Sequence, residues 1–450
     1  MHLTVVGGGY VGLVSAVCFC EFGFSVCVVE ENPEKLKNLK VGKSLVYEPD
    51  IDRMLSKFMK DGYLTFDGDI AKAVANSEAI IVAVSTTTKN SDSDLTHLNA
   101  VISKISSALP SDKYTGIFIR TGVPVGTCSI FLENIQYTRS DLVPGEHYDL
   151  IANPCFIREG SAVQDFMAPC NEVIGMKNFS ENAKSLIEKL YAPISKIGVP
   201  FLYTNFETAE LIVVANVAFA AVKMVYTNEI SELCKKINAD AKTVIQSLSS
   251  ETKIGSNAFM LSPGVGGSTF PKAMRVLTNK ANMLGISLPI LESAIRSNAS
   301  RISKITEQIL SFVADIEDNT SKKVTIFGLT YKPMTNDVKE SPSIIVIDAL
   351  LKQGVAVYAY DPVYTTGSNY VSRIPEDIRN DANFHLSNSA YEAVMQSDLV
   401  VIMTNWTEFF ELKYEKIFEL MKKNTDKKPQ ILDYRNLVAD KFKDVKVTLG

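Results

Sequence analysis

Short apolar runs alternate with helical patterns along the first 200 residues of the chain. Apolar runs of this kind, bounded by turn residues, are typical of strands that are buried on both faces of a parallel sheet. The pattern therefore predicts a doubly wound α/β domain over residues 1–200. The predicted strands are Leu3–Val6, Val26–Glu30, Ala79–Val84, Gly116–Arg120 and Asp149–Ala152.

A long helix is predicted next, over residues 207–237, because this stretch contains neither Gly nor Pro and is apolar on most of its faces. Such a helix spans about 45 Å, and we expect it to be covered nearly all round. It is either a buried core helix or a core helix that also forms a dimer interface. Helices predicted at 271–284 and 288–313 complete a central helical segment over residues 201–314.

The alternation of strands and helices resumes after a polar stretch at residues 315–323, which is predicted to be a linker. A second α/β domain is predicted over residues 315–450. It contains a helix at 342–353 and apolar strands at 324–328, 355–361 and 399–404. The predicted fold class is therefore α/β, with two doubly wound, Rossmann-like domains joined by a long central helix.

Composition excludes several classes of function. The chain is 46% apolar and 22% charged, as is usual for a globular protein, and its net charge of −5 comes without any run of Lys or Arg that would predict nucleic-acid binding. No uninterrupted stretch of about 18 apolar residues predicts a membrane span. Seven scattered cysteines and four isolated histidines predict neither a disulfide framework nor a metal site. With no room for a signal peptide before the first strand, we expect a cytoplasmic protein.

The most informative local motif is a glycine-rich turn between the first predicted strand and an apolar helix. Gly7, Gly9 and Gly12 satisfy the pattern GxGxxG, which allows a tight turn, close approach of a pyrophosphate and close helix packing. Glu30 ends the second predicted strand, where a carboxylate binds the ribose 2′-hydroxyl and repels a 2′-phosphate. The pattern predicts an NAD site; the alternative is a glycine turn in a nucleotide-free domain.

With that motif placed, the whole chain resembles the UDP-glucose/GDP-mannose dehydrogenase family. The matching elements agree in order and spacing: GGGYVGL (7–13), YEP (47–49), SDLTHL (93–98), VPVGT (123–127), NPCFIREGSAVQDF (153–166), AEL…AF (209–219), KIG…PGVGGSTFPK (253–272), GLTYKPMTNDVKESPS (328–343) and LDYRN (432–436). The resemblance implies an N-terminal NAD-binding domain, a C-terminal UDP-binding domain and a homodimer through the central helix. It also implies oxidation of the C6 alcohol of a nucleotide sugar to a carboxylate, in two NAD-dependent steps through a cysteine adduct.

The resemblance also implies site residues. The cofactor-binding set is Gly7, Gly9, Tyr10, Val11, Gly12, Glu30, Lys35, Thr86, Thr121, Glu159 and Lys339. The set that would bind the nucleotide sugar, with a UDP-sugar as the expected ligand, is Arg158, Lys253, Phe259, Gly267, Lys332 and Arg435. Thr269, Glu159 and Lys332 fall on positions where the chemistry takes place in relatives. Lys253 and Lys339 stand where many relatives carry arginine, and they keep the charge without the bidentate fork.

Six residues depart from the family pattern at positions that carry its chemistry. Thr269 replaces the cysteine nucleophile, and the others are Ala273 for aspartate, Val213 for lysine, Val217 for asparagine, Cys155 for glutamate and Gly122 for a hydroxyl residue. A threonine hydroxyl is a far poorer nucleophile than a thiolate at neutral pH. The full four-electron oxidation should therefore be lost. Two further departures, Val265 and Asp50, replace an aromatic residue and a glycine.

Two hypotheses remain open for the activity. The chain could be an altered NAD-dependent oxidoreductase, with Glu159 or Lys332 as proton acceptor, or a catalytically inactive relative that binds NAD or a nucleotide sugar as a sensor or partner subunit. Cys155 is either a substitute nucleophile or an inert thiol. A more distant alternative, a 6-phosphogluconate or hydroxyacid dehydrogenase, would share the first domain and the helical segment but lack the second α/β domain.

Overall fold

The computed structural model describes residues 1–44, 46–89, 92–314, 322–421, 430–438 and 447–449. It falls into two compact units, Met1–Ala215 and Asn216–Gly450. Most of the predicted linker, residues 315–321, lies outside the described residues.

The first unit is built on an eight-stranded sheet with the order β10-β9-β8-β7-β4-β1-β2-β3. Its strands are parallel, except that β8 and β9 run antiparallel. A separate hairpin is formed by β5 (Thr87–Lys89) and β6 (Asp92–Asp94). The strands of the sheet are β1 (His2–Val6), β2 (Ser25–Val29), β3 (Leu64–Asp67), β4 (Ala79–Val82), β7 (Thr115–Ile119), β8 (Tyr148–Ala152), β9 (Glu172–Gly175) and β10 (Phe201–Thr204).

Helices cover both faces of this sheet, as a doubly wound fold requires. The alternation of side chains along β1 shows the two layers, because Val5 belongs to one buried apolar cluster and Val6 to another. The helices of the first unit are α1 (Tyr10–Glu21), α2 (Pro33–Lys40), α3 (Ile51–Lys60), α4 (Ile70–Ala75), α5 (Thr96–Ala108), α6 (Thr127–Thr138), α7 (Ala162–Met167), α8 (Glu181–Leu190) and α9 (Ala192–Lys196).

The long central helix is confirmed as α10 (Phe206–Ile237), which passes from the first unit into the second. It is followed by α11 (Ala241–Ser250), α12 (Phe270–Met283) and α13 (Pro289–Ala314). One face of α10 is buried at Ala218, Ala221 and Val225 in a cluster that includes Met274 of α12 and Ala294 of α13.

The expectation that α10 is covered nearly all round is wrong for the single chain. Phe219, Tyr226 and Leu233 have 62%, 47% and 53% of their surface exposed. These residues are seven apart, which is close to two helical turns, so they form one stripe along the helix. By length and mean hydropathy, 1.7 over its most apolar window, α10 could also cross a membrane, although a third of that window is buried against the protein.

The second unit carries a six-stranded parallel sheet with the order β13-β12-β11-β14-β15-β16. Its strands are β11 (Lys323–Phe327), β12 (Ala356–Tyr360), β13 (Phe384–Leu386), β14 (Leu399–Ile402), β15 (Gln430–Asp433) and β16 (Val447–Leu449). Its helices are α14 (Pro342–Lys352), α15 (Glu376–Arg379), α16 (Ala390–Val394), α17 (Thr407–Glu411) and α18 (Tyr414–Leu420), with a 3₁₀ turn at Val371–Arg373. The predicted α/β fold with two parallel-sheet regions and a long helix between them is thus confirmed.

Candidate cofactor and nucleotide-sugar sites

The glycine turn between β1 and α1 is shaped for a dinucleotide. Gly7 has φ +111°, and a Cβ there would lie 2.7 Å from the carbonyl oxygen of Ala83. A Cβ at Gly12 would lie 1.8 Å from the carbonyl oxygen of Gly7, so the helix can approach the turn only without a side chain. At Gly9, by contrast, a Cβ would meet no atom of the described residues within 4 Å. The space in front of the turn can therefore take a pyrophosphate at the N-terminus of α1.

Glu30 follows β2 at the carboxyl edge of the sheet. Its carboxylate accepts hydrogen bonds from the backbone N–H of Gly8 (3.2 Å) and of Asn32 (2.9 Å), and the residue is only partly buried. The two bonds fix the carboxylate beside the glycine turn, where a ribose hydroxyl would bind. Lys35 lies on the exposed face of α2, whose N-terminus is capped by Asn32.

Two threonines lie where β4 and β7 end at the same edge. The hydroxyl of Thr121 donates to the carbonyl oxygen of Val84 (2.8 Å). The hydroxyl of Thr86 donates to the carbonyl oxygen of Gly122 (3.5 Å). Within the part of the chain that the structure describes, a Cβ at Gly122 would meet no atom closer than 4 Å, so the position of the lost hydroxyl residue has room for a side chain. Thr86 and Thr121 thus lie at the edge that carries the glycine turn.

Beyond β8, the loop with Arg158 and Glu159 leads into α7. The guanidinium of Arg158 forms a bidentate pair with Asp165 of α7, at 2.7 and 3.0 Å, which ties the loop to this helix. Glu159 is partly buried, and its charge contributes to raising the pKa of Tyr10, after burial and the contact with Glu48. Glu159 therefore lies in the neighbourhood of the first residue of α1.

Sequence reasoning did not predict the buried network around Arg120. Its guanidinium donates to Asn153 Oδ1 (2.7 Å), the Tyr191 hydroxyl (2.8 Å) and Cys155 Sγ (3.4 Å), and pairs with Glu172 (3.3 Å). Burial raises the pKa of Glu172. Arg120 and Cys155 follow β7 and β8, which are neighbours in the sheet, so a partly exposed thiol lies beside a buried cation at the carboxyl edge.

A second unpredicted feature joins two of the matched motifs. The buried carboxylate of Glu210, in α10, accepts hydrogen bonds from the backbone N–H of Gly126 (2.6 Å) and Cys128 (2.7 Å). It thereby caps the N-terminus of α6. Burial raises the pKa of Glu210. The VPVGT and AEL elements therefore contact each other through Glu210, and this contact fixes the beginning of α10.

In the second unit, Thr269 lies at the N-terminus of α12. Its side chain is exposed and makes no capping hydrogen bond to the helix. The preceding residue, Ser268, donates both its backbone N–H (2.7 Å) and its hydroxyl (2.6 Å) to Asp337. Ala273 lies one helical turn after Thr269 and is buried, and Val217 of α10 is partly buried. The replaced positions thus present a hydroxyl and aliphatic groups.

Arg435 is a buried cation that bonds to carbonyl groups. Its guanidinium donates to the carbonyl oxygens of Met403 (2.7 Å), Tyr331 (2.7 Å) and Leu261 (3.5 Å). Burial lowers its pKa to about 10. The charge of Asp433 offsets part of the cost of burying this cation, and a further anion beside it would reduce that cost more. The geometry therefore suits a ligand that carries phosphate groups.

The other candidate residues of the second unit lie on neighbouring loops. Gly267 has φ +89°, and a Cβ there would lie 2.8 Å from the ring of Tyr331, which explains the need for glycine. Phe259 packs under the ammonium group of Lys223, at 4.7 Å, and Lys332 is partly buried beside Tyr331. Lys339 and Lys253 are exposed.

Lys272 is a further basic residue, in the first turn of α12, that sequence reasoning did not single out. Its pKa is lowered by burial and by the nearby charge of Lys339. Two cations that repel each other in this way favour an anion between them. Its position as the last residue of the matched PGVGGSTFPK element was the sequence signal that could have identified it.

Comparisons with known proteins cover nearly the whole chain. Three domains of the UDP-glucose/GDP-mannose dehydrogenase family match: the NAD binding domain at residues 1–195, the central domain at 207–300 and the UDP binding domain at 325–440. The match to the third domain removes the alternative of a 6-phosphogluconate or hydroxyacid dehydrogenase, which was expected to lack it. NAD is therefore the cofactor type of this scaffold, and the glycine turn fits it.

Individual relatives agree. A UDP-glucose 6-dehydrogenase of Rhizobium meliloti is 32% identical over 439 residues, which is 97% of this chain and 95% of the relative. One of Bacillus subtilis is 32% identical over 438 residues, covering 97% and 89%. The solved structure of a UDP-glucose dehydrogenase from Pyrobaculum islandicum has a TM-score of 0.86 and 26% identity, covering 100% of this chain and 97% of that one. This chain belongs to the UDP-glucose/GDP-mannose dehydrogenase family.

Proposed function

We propose that this chain binds NAD and a UDP-sugar but does not carry out the four-electron oxidation of a C6 alcohol that its family resemblance implies. The observation that carries the proposal is Thr269, a threonine at the position of the nucleophile, with an exposed side chain that does not cap α12. A hydroxyl needs an adjacent base to become a nucleophile at neutral pH. The buried methyl group of Ala273, one turn away, cannot act as that base.

The other replaced positions point in the same direction. Val213 and Val217 lie one turn apart on α10 and carry neither charge nor hydrogen-bonding capacity, so they cannot stabilise an oxyanion or orient a water molecule. Losing one such donor typically costs about 3 kcal/mol of transition-state stabilisation. The simultaneous loss of nucleophile, lysine, asparagine and aspartate removes the means of forming and hydrolysing a thioester.

Several residues expected to bind NAD and UDP, in contrast, are retained. The glycine turn and Glu30 support NAD binding in the domain assigned to residues 1–200, and Arg435 supports UDP binding in the domain assigned to residues 315–450. Under this proposal the chain is a catalytically inactive, cytoplasmic relative that acts as a sensor or partner subunit.

The proposed assembly is a homodimer through the central segment, residues 201–314. The apolar stripe of Phe219, Tyr226 and Leu233 supports it, since a stripe of exposed large apolar residues is typical of an interface. Light scattering after gel filtration should give twice the chain mass for the wild type. Phe219→Glu should give a monomer, whereas Tyr137→Glu, a control at an exposed position on α6, should not.

The activity is tested with the pure protein, NAD and a panel of UDP- and GDP-sugars. Calorimetry should detect binding of NAD and of a UDP-sugar, while absorbance should detect no reduced nicotinamide. Two equivalents of reduced nicotinamide per sugar would refute the proposal. Restoring four residues together, as Thr269→Cys, Ala273→Asp, Val213→Lys and Val217→Asn, should produce measurable oxidation if the scaffold is otherwise intact.

A second candidate function is an altered oxidoreductase that performs one two-electron step. Glu159 supports it, because this carboxylate is partly buried near the beginning of α1 and is chemically suited to accept a proton, with Lys332 as the alternative. One equivalent of reduced nicotinamide per sugar, abolished by Glu159→Gln, would favour this function. Cys155, beside Arg120, would be the group to replace next, with Cys155→Ser separating a thiol role from a structural one.

A further inference from the structure

The carboxylate of Glu48, in the matched YEP element, is buried between two distant parts of the first unit. Only 7% of the residue is exposed. Its Oε2 atom accepts hydrogen bonds from the backbone N–H of Gly160 (2.6 Å) and from the hydroxyl of Tyr10, and its Oε1 atom accepts one from the N–H of Ala162 (2.8 Å). One side chain thus joins three segments of the chain.

The residues that Glu48 joins belong to the cofactor site. Tyr10 is the first residue of α1 and directly follows the glycine turn, while Ala162 is the first residue of α7. Gly160 directly follows Glu159. Glu48 therefore links the turn that faces the pyrophosphate to the loop that carries Glu159. The Tyr10 phenol is protonated at neutral pH and donates to Glu48. Burial and this bond raise its pKa further.

The chemistry of this bridge requires a carboxylate. Two N–H groups and one O–H group converge on the side chain, and only an ionised carboxylate presents acceptors on both of its oxygen atoms. A glutamine would present one oxygen, and its NH₂ group would face a donor on the other side. An aspartate would be one methylene shorter and would lose at least one of the three contacts.

We propose that Glu48 is a positioning residue for NAD, which holds the loop of residues 158–162 against the start of α1 so that Glu159 is in place before the cofactor binds. Preorganisation of this kind raises affinity because the ordering cost is met in the free protein. The proposal rests on NAD binding to the first unit and says nothing of catalysis. It assigns a role to the YEP element, which the cofactor site alone does not explain.

The test compares NAD affinity by calorimetry in Glu48→Gln, Tyr10→Phe and the double variant. Glu48→Gln should weaken NAD binding roughly tenfold, which corresponds to about 1.4 kcal/mol, and Tyr10→Phe should weaken it about threefold, by the loss of one of the three bonds. The double variant should bind no worse than Glu48→Gln alone, because both changes break the same contact. Glu21→Gln, an exposed glutamate of α1 that pairs with Lys57, is the matched control and should bind like the wild type.

Affinity for UDP separates positioning from general damage. A variant that is partly unfolded would lose both ligands, whereas loss of positioning should weaken NAD and leave UDP unchanged. Glu48→Gln binding NAD within twofold of the wild type would overturn the inference, as would additive effects in the double variant. If Glu48→Gln does not fold, an unchanged affinity of Tyr10→Phe for NAD overturns it. Failure of the wild type itself to bind NAD would instead overturn the proposed function.

Discussion

The eight-stranded and six-stranded sheets share a buried set of hydrogen bonds at their first strands, β1 and β11. Thr4 is the third residue of β1, and its hydroxyl bonds to the hydroxyl of Ser77 and the carbonyl oxygen of Ala73. In β11 the third residue is again a threonine, and the same bonds recur with Thr325, Ser397 and Ala393 in these places. In each sheet the serine lies just before the strand that pairs with the first strand. Ser77 precedes β4, which pairs with β1, and Ser397 precedes β14, which pairs with β11.

The resemblance continues at the end of the first strand. Gly7 after β1 and Gly328 after β11 both have positive φ, +111° and +94°, and both lack room for a Cβ. In each region the following strand ends in a carboxylate, Glu30 after β2 and Asp361 after β12. The sequence alone did not predict this correspondence, because the residues shared by the two regions are too few and too far apart to form a detectable repeat.

The two carboxylates differ in what they bind. Glu30 is partly exposed and accepts two backbone N–H bonds, whereas Asp361 is fully buried and bonds the N–H groups of Leu329 (2.8 Å) and Thr330 (3.2 Å) and the indole of Trp406 (3.1 Å). The cause is the loop before the helix. Only residues 7–9 separate β1 from α1, while residues 328–341 separate β11 from α14 and fold back onto the carboxylate. The same position thus carries a carboxylate that we propose to bind ribose in one region, and a carboxylate that holds a loop in the other.

The largest expected effect tests this clamp. Asp361→Ala should lower the free energy of unfolding of the second unit by about 3 kcal/mol or more, because several buried donors lose their acceptor at once. Trp406 is the only tryptophan of the chain, so its fluorescence during urea denaturation reports this region. Glu30→Ala is the matched variant and should change stability by no more than about 0.5 kcal/mol. Equal losses of unfolding free energy in both variants would contradict the difference between the two carboxylates.

Ligand stabilisation should distinguish the two regions next. UDP at a hundredfold excess over its Kd should stabilise the Trp406 transition by about 2.7 kcal/mol, and Arg435→Met should lose most of this gain because the buried cation is absent. Lys352→Met, which removes an exposed cation of α14, should keep it. A full UDP effect in Arg435→Met would show that the anion binds elsewhere.

Cofactor selectivity should change with Glu30 alone. Glu30→Gln removes the negative charge that would repel a 2′-phosphate, so the preference for NAD over NADP should fall roughly tenfold, or about 1.4 kcal/mol. Binding of both cofactors is measured by calorimetry. Asp361→Asn, if folded, should leave the preference unchanged, and a shift in that variant would contradict the separation of the two roles.

The smallest effect concerns a backbone position in the first region. Asp50, which replaces the glycine of the family pattern, has φ +66° at the start of α3 and makes no side-chain capping bond. Asp50→Gly should raise the free energy of unfolding by about 0.5–1 kcal/mol by removing left-handed strain, less the added chain entropy of glycine. Arg53→Gln serves as the control, because it breaks the exposed pair with Asp50 without changing the backbone.

The predicted strands, such as β1, β4, β7 and β8, have short apolar runs that favour a strand buried on both faces. The equally buried β9 was not predicted, because a Glu and a Gly leave it only two apolar residues in a row. β3 and β10 were not predicted, since they are short edge strands; β10 exposes Leu202 and Tyr203. The position of Glu30 at the end of β2 was predicted from its spacing along the sequence from the glycine turn. The contacts of Glu48 and Glu210 could not be predicted, because their partners are mainly backbone N–H groups far away in the sequence, which leave no trace in residue type.

The capping of α6 by Glu210 has a practical consequence for dissecting the protein. A fragment that ends at residue 200 would lack this carboxylate and leave the N–H groups of Gly126 and Cys128 without their acceptor. A fragment that continues through Ala215 keeps it. Expression of the NAD-binding half alone should therefore give a better-folded product from the longer fragment, although the match to the NAD binding domain of the family ends at residue 195, before α10.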